Sequence, residues 1–173
     1  RNTKADAVIA VYPFTPQPVI THAILETAGV PVFCGVGGGI TTGQRVVNLA
    51  LDAEFQGAMG VVVNAPTPNE TIKMMRKTID IPIIVTVVTE NHDFKGRLEA
   101  GVSIFNVSGA KNTPRIVRKI RSEFPEVPII ATGGTSEESI LETISAGANA
   151  ITFTPPTPGE IFSGIMDRYR DTL

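Results

Sequence analysis

The strongest constraint on the fold of this chain is a repeat in which two kinds of short apolar run alternate. Runs of the first kind follow an x-Pro pair, as in GVPVFCG, DIPIIVT and EVPIIAT. Runs of the second kind follow a turn of small residues, as in FQGAMGVVV, EAGVSIFNV and SAGANAITF. Helical segments separate the runs, and strand and helix that alternate in this way are typical of right-handed βαβ crossovers.

Seven of these runs are rich in β-branched residues and nearly continuously apolar, which is typical of parallel strands buried on both faces. The predicted strands are Ala7–Tyr12, Val30–Gly35, Met59–Asn64, Ile81–Val88, Val102–Val107, Val127–Thr132 and Ala148–Thr154. The first strand is of the second kind, so the repeat predicts a further x-Pro strand before it. We therefore expect one domain over residues 1–173, an α/β parallel (β/α) barrel of the TIM type. We expect seven visible βα units, with an N-terminal strand missing or disordered. The alternative is an open doubly wound sheet.

The helical segments carry start signals directly after the strands. Thr67–Glu70, Thr135–Glu138 and Thr157–Glu160 each read Thr-x-x-Glu, which predicts a capping box. The segment NTPRIVRKIRSEF places its apolar residues on one helical face and its basic residues mostly off it. Each predicted helix therefore packs one face on the sheet.

Composition excludes several classes of function. The net charge of −2 provides no field that would attract nucleic acid. No apolar run approaches the roughly 20 residues that a membrane span needs. The two histidines, the single cysteine and the carboxylates match no metal-ligand spacing. Because Cys34 has no partner for a disulfide, we expect a reducing, cytoplasmic location.

The stretch VPIIATGGTSEES raises the possibility of an anion site. Gly133 and Gly134 end a predicted strand, and Thr135 begins a helix whose N-terminus carries partial positive charge. The next strand ends near Thr154, and the loops after the last strands of a barrel frequently bind phosphate. We therefore predict phosphate binding at Gly133, Gly134, Thr135 and Thr154. The alternative is that the glycines only permit a turn and that Thr135 only caps a helix.

The segment PIIATGGTSEESILETISAGANAITF resembles the phosphate-binding segment of ribulose-phosphate-binding and class I aldolase-like barrels. It is similar to that segment in 2-keto-3-deoxy-6-phosphogluconate aldolases and in nitronate monooxygenases that bind FMN. The resemblance covers about the last 75 residues well and extends more weakly to CGVGGGITTGQ. It implies that the backbone of Gly133 and Gly134 and the loop after Thr154 hold a ligand phosphate. Many activities share this motif, so it implies a ligand feature and not a reaction.

The resemblance also implies a Schiff-base lysine within the strand that here reads VSIFNVSG, and that strand has none. Lys111 follows it in the loop SGAKN and is our candidate nucleophile, with a surface loop lysine as the alternative. The loop VTENHDFKGR offers His92 as an acid–base group, with Glu90 or Asp93 to orient it. A solvated loop histidine is the alternative for His92.

Two amides and a second glycine-rich strand end are further ligand candidates. Asn64 and Asn106 lie in or at the ends of apolar strands, where an amide must find a partner. They bond each other or water in one interpretation, and they hold a ligand carbonyl or hydroxyl in the other. Gly37 and Gly38 belong to GVGGGITT, which echoes the Gly133 loop and either contacts the ligand or brings a helix close.

These observations favour a phosphate-binding barrel enzyme, an aldolase-like lyase or isomerase that acts on a phosphorylated small molecule. One alternative is a flavin version that binds FMN. The other is a regulatory barrel that senses its ligand without converting it, as the resemblance to the glycerol uptake operon antiterminator family implies. Under each interpretation we expect a homo-oligomer, because a sheet with a strand missing exposes two edges.

Overall fold

The computed structural model describes residues 5–11, 16–134, 136–154 and 158–170. Strands and helices alternate along these residues. The strands are β1 (Val8–Ala10), β2 (Val32–Gly37), β3 (Gly60–Val63), β4 (Ile83–Val87), β5 (Ile104–Val107), β6 (Ile129–Thr132) and β7 (Ala150–Thr152). The helices are α1 (Pro18–Thr27), α2 (Gln44–Phe55), α3 (Asn69–Thr78), α4 (Phe94–Ala100), α5 (Thr113–Glu123), α6 (Glu137–Ser145) and α7 (Pro158–Arg170), with a short 3-10 turn at Ala110–Asn112 before α5.

All the strands form one parallel sheet in which their spatial order is their order in the chain, β1 to β7. In a doubly wound sheet the strand order reverses at a switch point, and the order of this sheet shows no such reversal. The sheet curls into a partial barrel, since residues of β1 and of β7 line the same cavity. The predicted parallel (β/α) barrel is therefore confirmed.

The main core lies between the convex face of the sheet and the helices. Side chains alternate between the two faces of a strand, so every second residue points toward the helices. Phe105 and Val107 of β5 point this way and contact the same buried cluster as Ile116, Val117 and Ile120 of α5. Phe94 of α4 packs edge-on against Phe105, with 5.5 Å between the ring centroids.

The concave face has an apolar base and a polar rim. Val62 and Ile84 are fully buried but lie outside the cluster beneath the helices, so they fill the inside of the barrel. Further along β4, Thr86 stands opposite Asn106 of β5 in the register. Because the strands are parallel, these polar positions all lie at the carboxyl-terminal edge, where barrels of this type carry their sites.

The predicted strand positions are confirmed, with ends that differ by a few residues. Six observed strands lie within their predicted ranges, and β2 runs on to Gly37. Two predicted capping boxes are wrong. The N-cap of α3 is Pro68, and the Thr67 hydroxyl donates to the Asn64 carbonyl instead. The box of α6 lies one residue later, at Ser136 and Ser139. Thr157, of the third box, lies outside the described residues.

No helix in the described part of the chain is both long and apolar enough to cross a membrane.

Candidate functional site

Asn106 carries the clearest sign of an incomplete interaction on the concave face. Its Nδ2 donates to the Thr86 hydroxyl at 3.3 Å. Its Oδ1 is buried and has no hydrogen-bond partner among the described residues. A buried acceptor without a partner destabilises the fold, because it has lost its hydrogen bonds to water and gained none within the protein. The amide therefore presents a free acceptor to whatever occupies the barrel interior above Val62 and Ile84.

Two threonines extend this polar rim toward the end of the sheet. Thr132 of β6 and Thr152 of β7 stand opposite each other in the register. Their neighbours Ala131 and Ile151 contact the core beneath the helices, so the two threonines point to the concave side. These strands therefore add hydroxyls to the amide of Asn106. Thr154 follows two residues beyond Thr152 and is exposed.

The glycines of the Gly133–Gly134 turn are required by packing within the protein. A Cβ on Gly133 would lie 2.8 Å from Ile151 and 2.9 Å from Ile140. A Cβ on Gly134 would lie 2.1 Å from the Ser139 hydroxyl oxygen. The backbone N–H of Gly133 already donates to the Thr152 carbonyl at 3.0 Å. The tight turn needs these glycines whether or not a ligand is bound, so phosphate binding here stays a prediction.

The start of α6 combines groups that attract and repel an anion. The Ser136 and Ser139 hydroxyls satisfy each other's backbone N–H groups at 3.2 and 3.3 Å. The helix N-terminus carries partial positive charge, which favours an anion. Glu137 and Glu138 occupy the first turn and are exposed, so their negative charges offset part of that positive potential. Thr135, the predicted contact, lies outside the described residues.

Gly37 and Gly38 hold the loop after β2 against the loop after β3. Both have positive φ, 133° and 95°, which favours glycine. The Gly37 carbonyl accepts from the Asn64 N–H at 3.0 Å, and a Cβ on Gly38 would lie 1.9 Å from the Thr67 hydroxyl oxygen. The Gly37–Gly38 loop therefore resembles the Gly133–Gly134 turn because close packing within the protein requires glycine in both. The exposed Asn64 lies at this rim, and its contact with a ligand stays a prediction.

Arg97 of α4 joins the loops that follow β3 and β4. Its Nη2 donates to the Ala65 carbonyl at 2.7 Å, and its Nη1 donates to the Thr67 carbonyl and to Asn69 Oδ1. Its Nε donates to His92 Nε2 at 3.0 Å. The guanidinium therefore fixes two loops at the carboxyl edge of the sheet.

This arrangement favours the neutral form of His92. Burial, followed by the positive charge of Arg97, lowers the pKa of His92, and Asp93 opposes the shift. The Nε2 lone pair accepts from Arg97, so the ring proton is on Nδ1. Asp93 accepts from the Gly96 N–H at 2.9 Å and caps α4. Of the ring atoms, only the Nδ1 proton of His92 is left to serve a ligand.

The other two predicted catalytic side chains have surroundings of their own. Glu90, two residues before His92, forms an ion pair with Arg115 at 2.6 Å. Lys111 is exposed in the 3-10 turn after β5. The catalytic roles of His92, Glu90 and Lys111 stay predictions.

Two features bear on the chemistry that this mouth could support. All lysines in the described ranges lie on helices or in the 3-10 turn, and none of them is on a strand. A Schiff base therefore has no lysine on the concave face of that part of the chain. The described residues also contain no group of three or more His, Cys, Asp or Glu side chains that could hold a metal ion.

Sequence reasoning gave no role to two side chains that shape the site. Thr86 interrupts the apolar run IIVTVV just as Asn106 interrupts IFNV, and this shared interruption is a signal that could have identified it. Arg97 gives no comparable signal, because its partners are backbone carbonyls about 30 residues away in sequence.

No family model matches the chain, and no curated protein matches it. Solved structures share its fold. A protein of Burkholderia cenocepacia J2315 that is provisionally assigned as a phosphonomutase is 15% identical with a TM-score of 0.68, and the match covers 96% of this chain and 93% of that one. Dihydrodipicolinate synthase of Aquifex aeolicus is 19% identical with a TM-score of 0.68, covering 88% of this chain and 59% of that one. Phosphoenolpyruvate phosphomutase of Streptomyces platensis subsp. rosaceus is 12% identical with a TM-score of 0.65, covering 88% and 64%.

The chain thus spans about three fifths of the length of the last two proteins. These TM-scores show a shared TIM-type barrel, and the low identities leave the reaction open. The expected parallel (β/α) barrel is confirmed at the level of the fold. The finer resemblance to 2-keto-3-deoxy-6-phosphogluconate aldolases or to FMN-binding barrels stays a prediction.

Proposed function

We propose that this chain binds a phosphorylated small molecule at the carboxyl-terminal mouth of the barrel and acts on it as an aldolase-like lyase or isomerase. The observation that carries the proposal is the buried, unpartnered Oδ1 of Asn106 beside the Thr86 hydroxyl. A folded chain retains such a costly acceptor when something else supplies the missing donor. A ligand hydroxyl is a donor of suitable chemistry.

The fold and the rim support the rest of the proposal. Some of the similar barrels carry names of a lyase or mutase type, including an aldolase and 2,3-dimethylmalate lyase, and others are named dihydrodipicolinate synthases. The sequence resemblance assigns a phosphate to the backbone of Gly133 and Gly134 and to the loop after Thr154, and Thr135 is a further predicted contact. Asn106 would then hold the part of the ligand that enters the barrel, while the phosphate stays at the rim.

The proposed reaction does not depend on a Schiff base. The described strands carry no lysine, and Lys111, in the turn after β5, stays the candidate if a lysine nucleophile takes part. Asn106 and Thr86 can fix a hydroxyl or a carbonyl and can stabilise charge that develops there. The proton carrier is expected among the loops of the mouth, with the Nδ1 proton of His92 as the candidate donor.

The decisive experiment compares Asn106→Leu with wild type in a thermal-shift screen. The ligands are inorganic phosphate, sugar phosphates, triose phosphates, pyridoxal phosphate and FMN. Removing an unsatisfied buried amide should raise the melting temperature of the free protein. The same change should abolish the shift produced by the ligand, which amounts to about 2.7 kcal/mol at 100 times the dissociation constant.

Asn48→Leu is the matched control, because Asn48 is exposed on α2 and bonds only Gln44 among the described contacts. It should leave the ligand shift intact. Absence of a shift with every phosphorylated compound in the wild type would refute the proposal. A thermal shift that persists in Asn106→Leu would mean that the ligand binds away from Asn106.

A regulatory barrel is the second candidate, and one observation favours it. The His92 lone pair and the Glu90 carboxylate are both engaged by arginines, so neither is a free base. Proton NMR in D2O separates the two candidates. An enzyme of the proposed class exchanges the proton next to the carbonyl of its bound ligand with solvent, whereas a sensor binds the ligand unchanged.

A homo-oligomer remains part of the proposal for the full protein. Light scattering over a range of concentrations measures the mass in solution, and a monomeric mass at every concentration would refute the homo-oligomer.

A further inference from the structure

The pair formed by Thr86 and Asn106 has both a donor and an acceptor left over. Asn106 Nδ2 donates to the Thr86 hydroxyl oxygen at 3.3 Å, so the Thr86 proton points elsewhere. Among the described residues that proton has no acceptor, and the buried Asn106 Oδ1 has no donor. A hydroxyl can donate one hydrogen bond while it accepts another, and an amide oxygen only accepts. The pair therefore needs a partner that accepts from Thr86 and donates to Asn106.

The two side chains lie at one level of the barrel interior. Thr86 and Asn106 are register partners in β4 and β5. Phe105 and Val107, on either side of Asn106, belong to the core beneath the helices, so Asn106 points to the concave side. Ile84, the preceding inward position of β4, is fully buried. A ligand group that reaches the pair therefore has apolar side chains toward the amino end of the strands and these two polar groups beside it.

The charge of the strands restricts what this partner can be. The described strands read VIA, VFCGVG, GVVV, IIVTV, IFNV, IIAT and AIT, without any Asp, Glu, Lys, Arg or His. An ammonium or a carboxylate at the pair would have no opposite charge on these strands to offset its loss of water. A carbonyl would accept from Thr86 and leave Asn106 Oδ1 without a donor. A neutral group that both donates and accepts satisfies the pair.

The pair lies well inside the mouth, away from the predicted phosphate position. Ile130 of β6 is the register partner of Asn106, and Gly133 follows it three residues later. Three residues advance about 10 Å along a strand. A ligand group at the pair is therefore separated from a phosphate at Gly133 by several carbon atoms.

We infer that Thr86 and Asn106 select a hydroxyl group of the ligand, which donates to Asn106 Oδ1 and accepts from the Thr86 hydroxyl. One oxygen at about 2.8 Å from both atoms makes both bonds. The ligand is then a phosphorylated alcohol or sugar with this hydroxyl at the end remote from the phosphate, and the corresponding ketone binds less well. The phosphate rests on the proposed function, whereas the choice of a hydroxyl rests on the pair alone.

Three phosphates with one carbon skeleton test this selection: 4-hydroxypentyl phosphate, 4-oxopentyl phosphate and pentyl phosphate. Isothermal titration measures their affinities for the wild-type chain. The alcohol should bind at least tenfold more tightly than either analogue, because each analogue leaves a buried partner unsatisfied. Equal affinities would mean that water satisfies the pair, and would overturn the inference while phosphate binding stands. Tighter binding of the ketone would mean that the Asn106 amide is turned over, and would also overturn it.

Variants of Thr86 connect the selectivity with the pair. Thr86→Val removes the hydroxyl but keeps the branched shape, and should abolish the preference for the alcohol. Thr86→Ser retains the hydroxyl and should retain the preference, which separates loss of the bond from damage to the fold. Thr78→Val is the matched control, because Thr78 is exposed on α3 and its hydroxyl bonds the Met74 carbonyl of the same helix. A preference that persists in Thr86→Val would contradict the inference.

A measurement without phosphate separates this inference from the proposed function. NMR records the side-chain amide of Asn106, identified by its loss in Asn106→Leu, while 2-butanol or butanone is added. The alcohol should shift the amide signal saturably and the ketone should not. If none of the three phosphates binds, the proposed function fails, and this titration alone decides the inference. An equal response to both compounds, or no response to either, would overturn it.

Discussion

The middle of the sheet and its two ends are built from the same kinds of residue but are buried to different extents. All four residues of β3, GVVV, are buried, whereas none of the residues of β1 (VIA) or β7 (AIT) is. Burial here depends on having a neighbour on each side and not on the composition of the strand.

The largest effect that tests this comparison is expected from two phenylalanine truncations. Phe105→Ala in β5 removes a fully buried ring that packs on Phe94, and should cost about 3–5 kcal/mol of unfolding free energy. Phe153→Ala removes a ring that is 65% exposed and should change stability by less than about 0.5 kcal/mol. Urea denaturation measures both. Similar losses for the two variants would mean that the β7 end is as well packed as the middle.

The next effect concerns the polar side of the middle region. Arg97→Lys retains the charge but loses the fork that bonds two carbonyls, Asn69 and His92, and should cost about 2–3 kcal/mol. Arg118→Lys changes an exposed pair with Glu142 and should cost less than about 0.5 kcal/mol. Thermal and urea unfolding provide the values. Equal costs would show that Arg97 does not hold the two loops.

A smaller effect is expected at the open end, at the start of α6. Glu138→Gln removes a carboxylate from the first turn of this helix, which should strengthen inorganic phosphate binding there about two- to fivefold. Glu126→Gln, in the exposed turn before β6, is the control and should leave phosphate affinity unchanged. Isothermal titration at low ionic strength measures both constants. Weaker phosphate binding in Glu138→Gln would place the anion elsewhere.

The smallest effect is a pH dependence that originates in the middle region. The pKa of His92 is lowered in the folded protein, so the unfolded chain takes up the proton first as the pH falls below about 6.5. The neutral ring therefore contributes stability that is present above that pH and is lost as the pH falls toward the lowered pKa.

The measurement compares urea unfolding of wild type and His92→Gln at pH 7.5, 6.5 and 5.5. The stability advantage of wild type should shrink toward the lowest pH. His22→Gln, at an exposed position of α1, is the control. An advantage that grows as the pH falls would mean that the folded state favours the charged ring.

The sequence predicts the sheet well because its signals are local. An x-Pro pair or a small-residue turn precedes each of β2 to β7, and the parallel order follows from the crossovers. Strand ends are less certain because hydrogen bonds across strands decide them. The register shift between Gly35 and Gly37, where β2 meets β3, is an interaction of that kind.

The candidate site is less predictable because its contacts are long-range. Asn106 stands out in an apolar strand, and its bond to Thr86 follows once the strands are in register. The glycine turns raised an expectation of a ligand, but the neighbours that require them, Ile140 and Ser139, lie on a helix whose packing no motif encodes. Likewise, a Thr-x-x-Glu pattern did not fix the start of α3, because the Thr67 hydroxyl found the Asn64 carbonyl.

The rate at which a thiol reagent labels Cys34 would measure how often the core near the first edge of the sheet opens. It is buried in β2, next to Ala10 of β1, and burial raises the pKa of its thiol to about 11. A pKa that high leaves little reactive thiolate at pH 8, so a thiol reagent reacts when local opening exposes the core around β2. Cys34 is the only cysteine of the chain, so its labelling rate reports this opening through a single chemical signal.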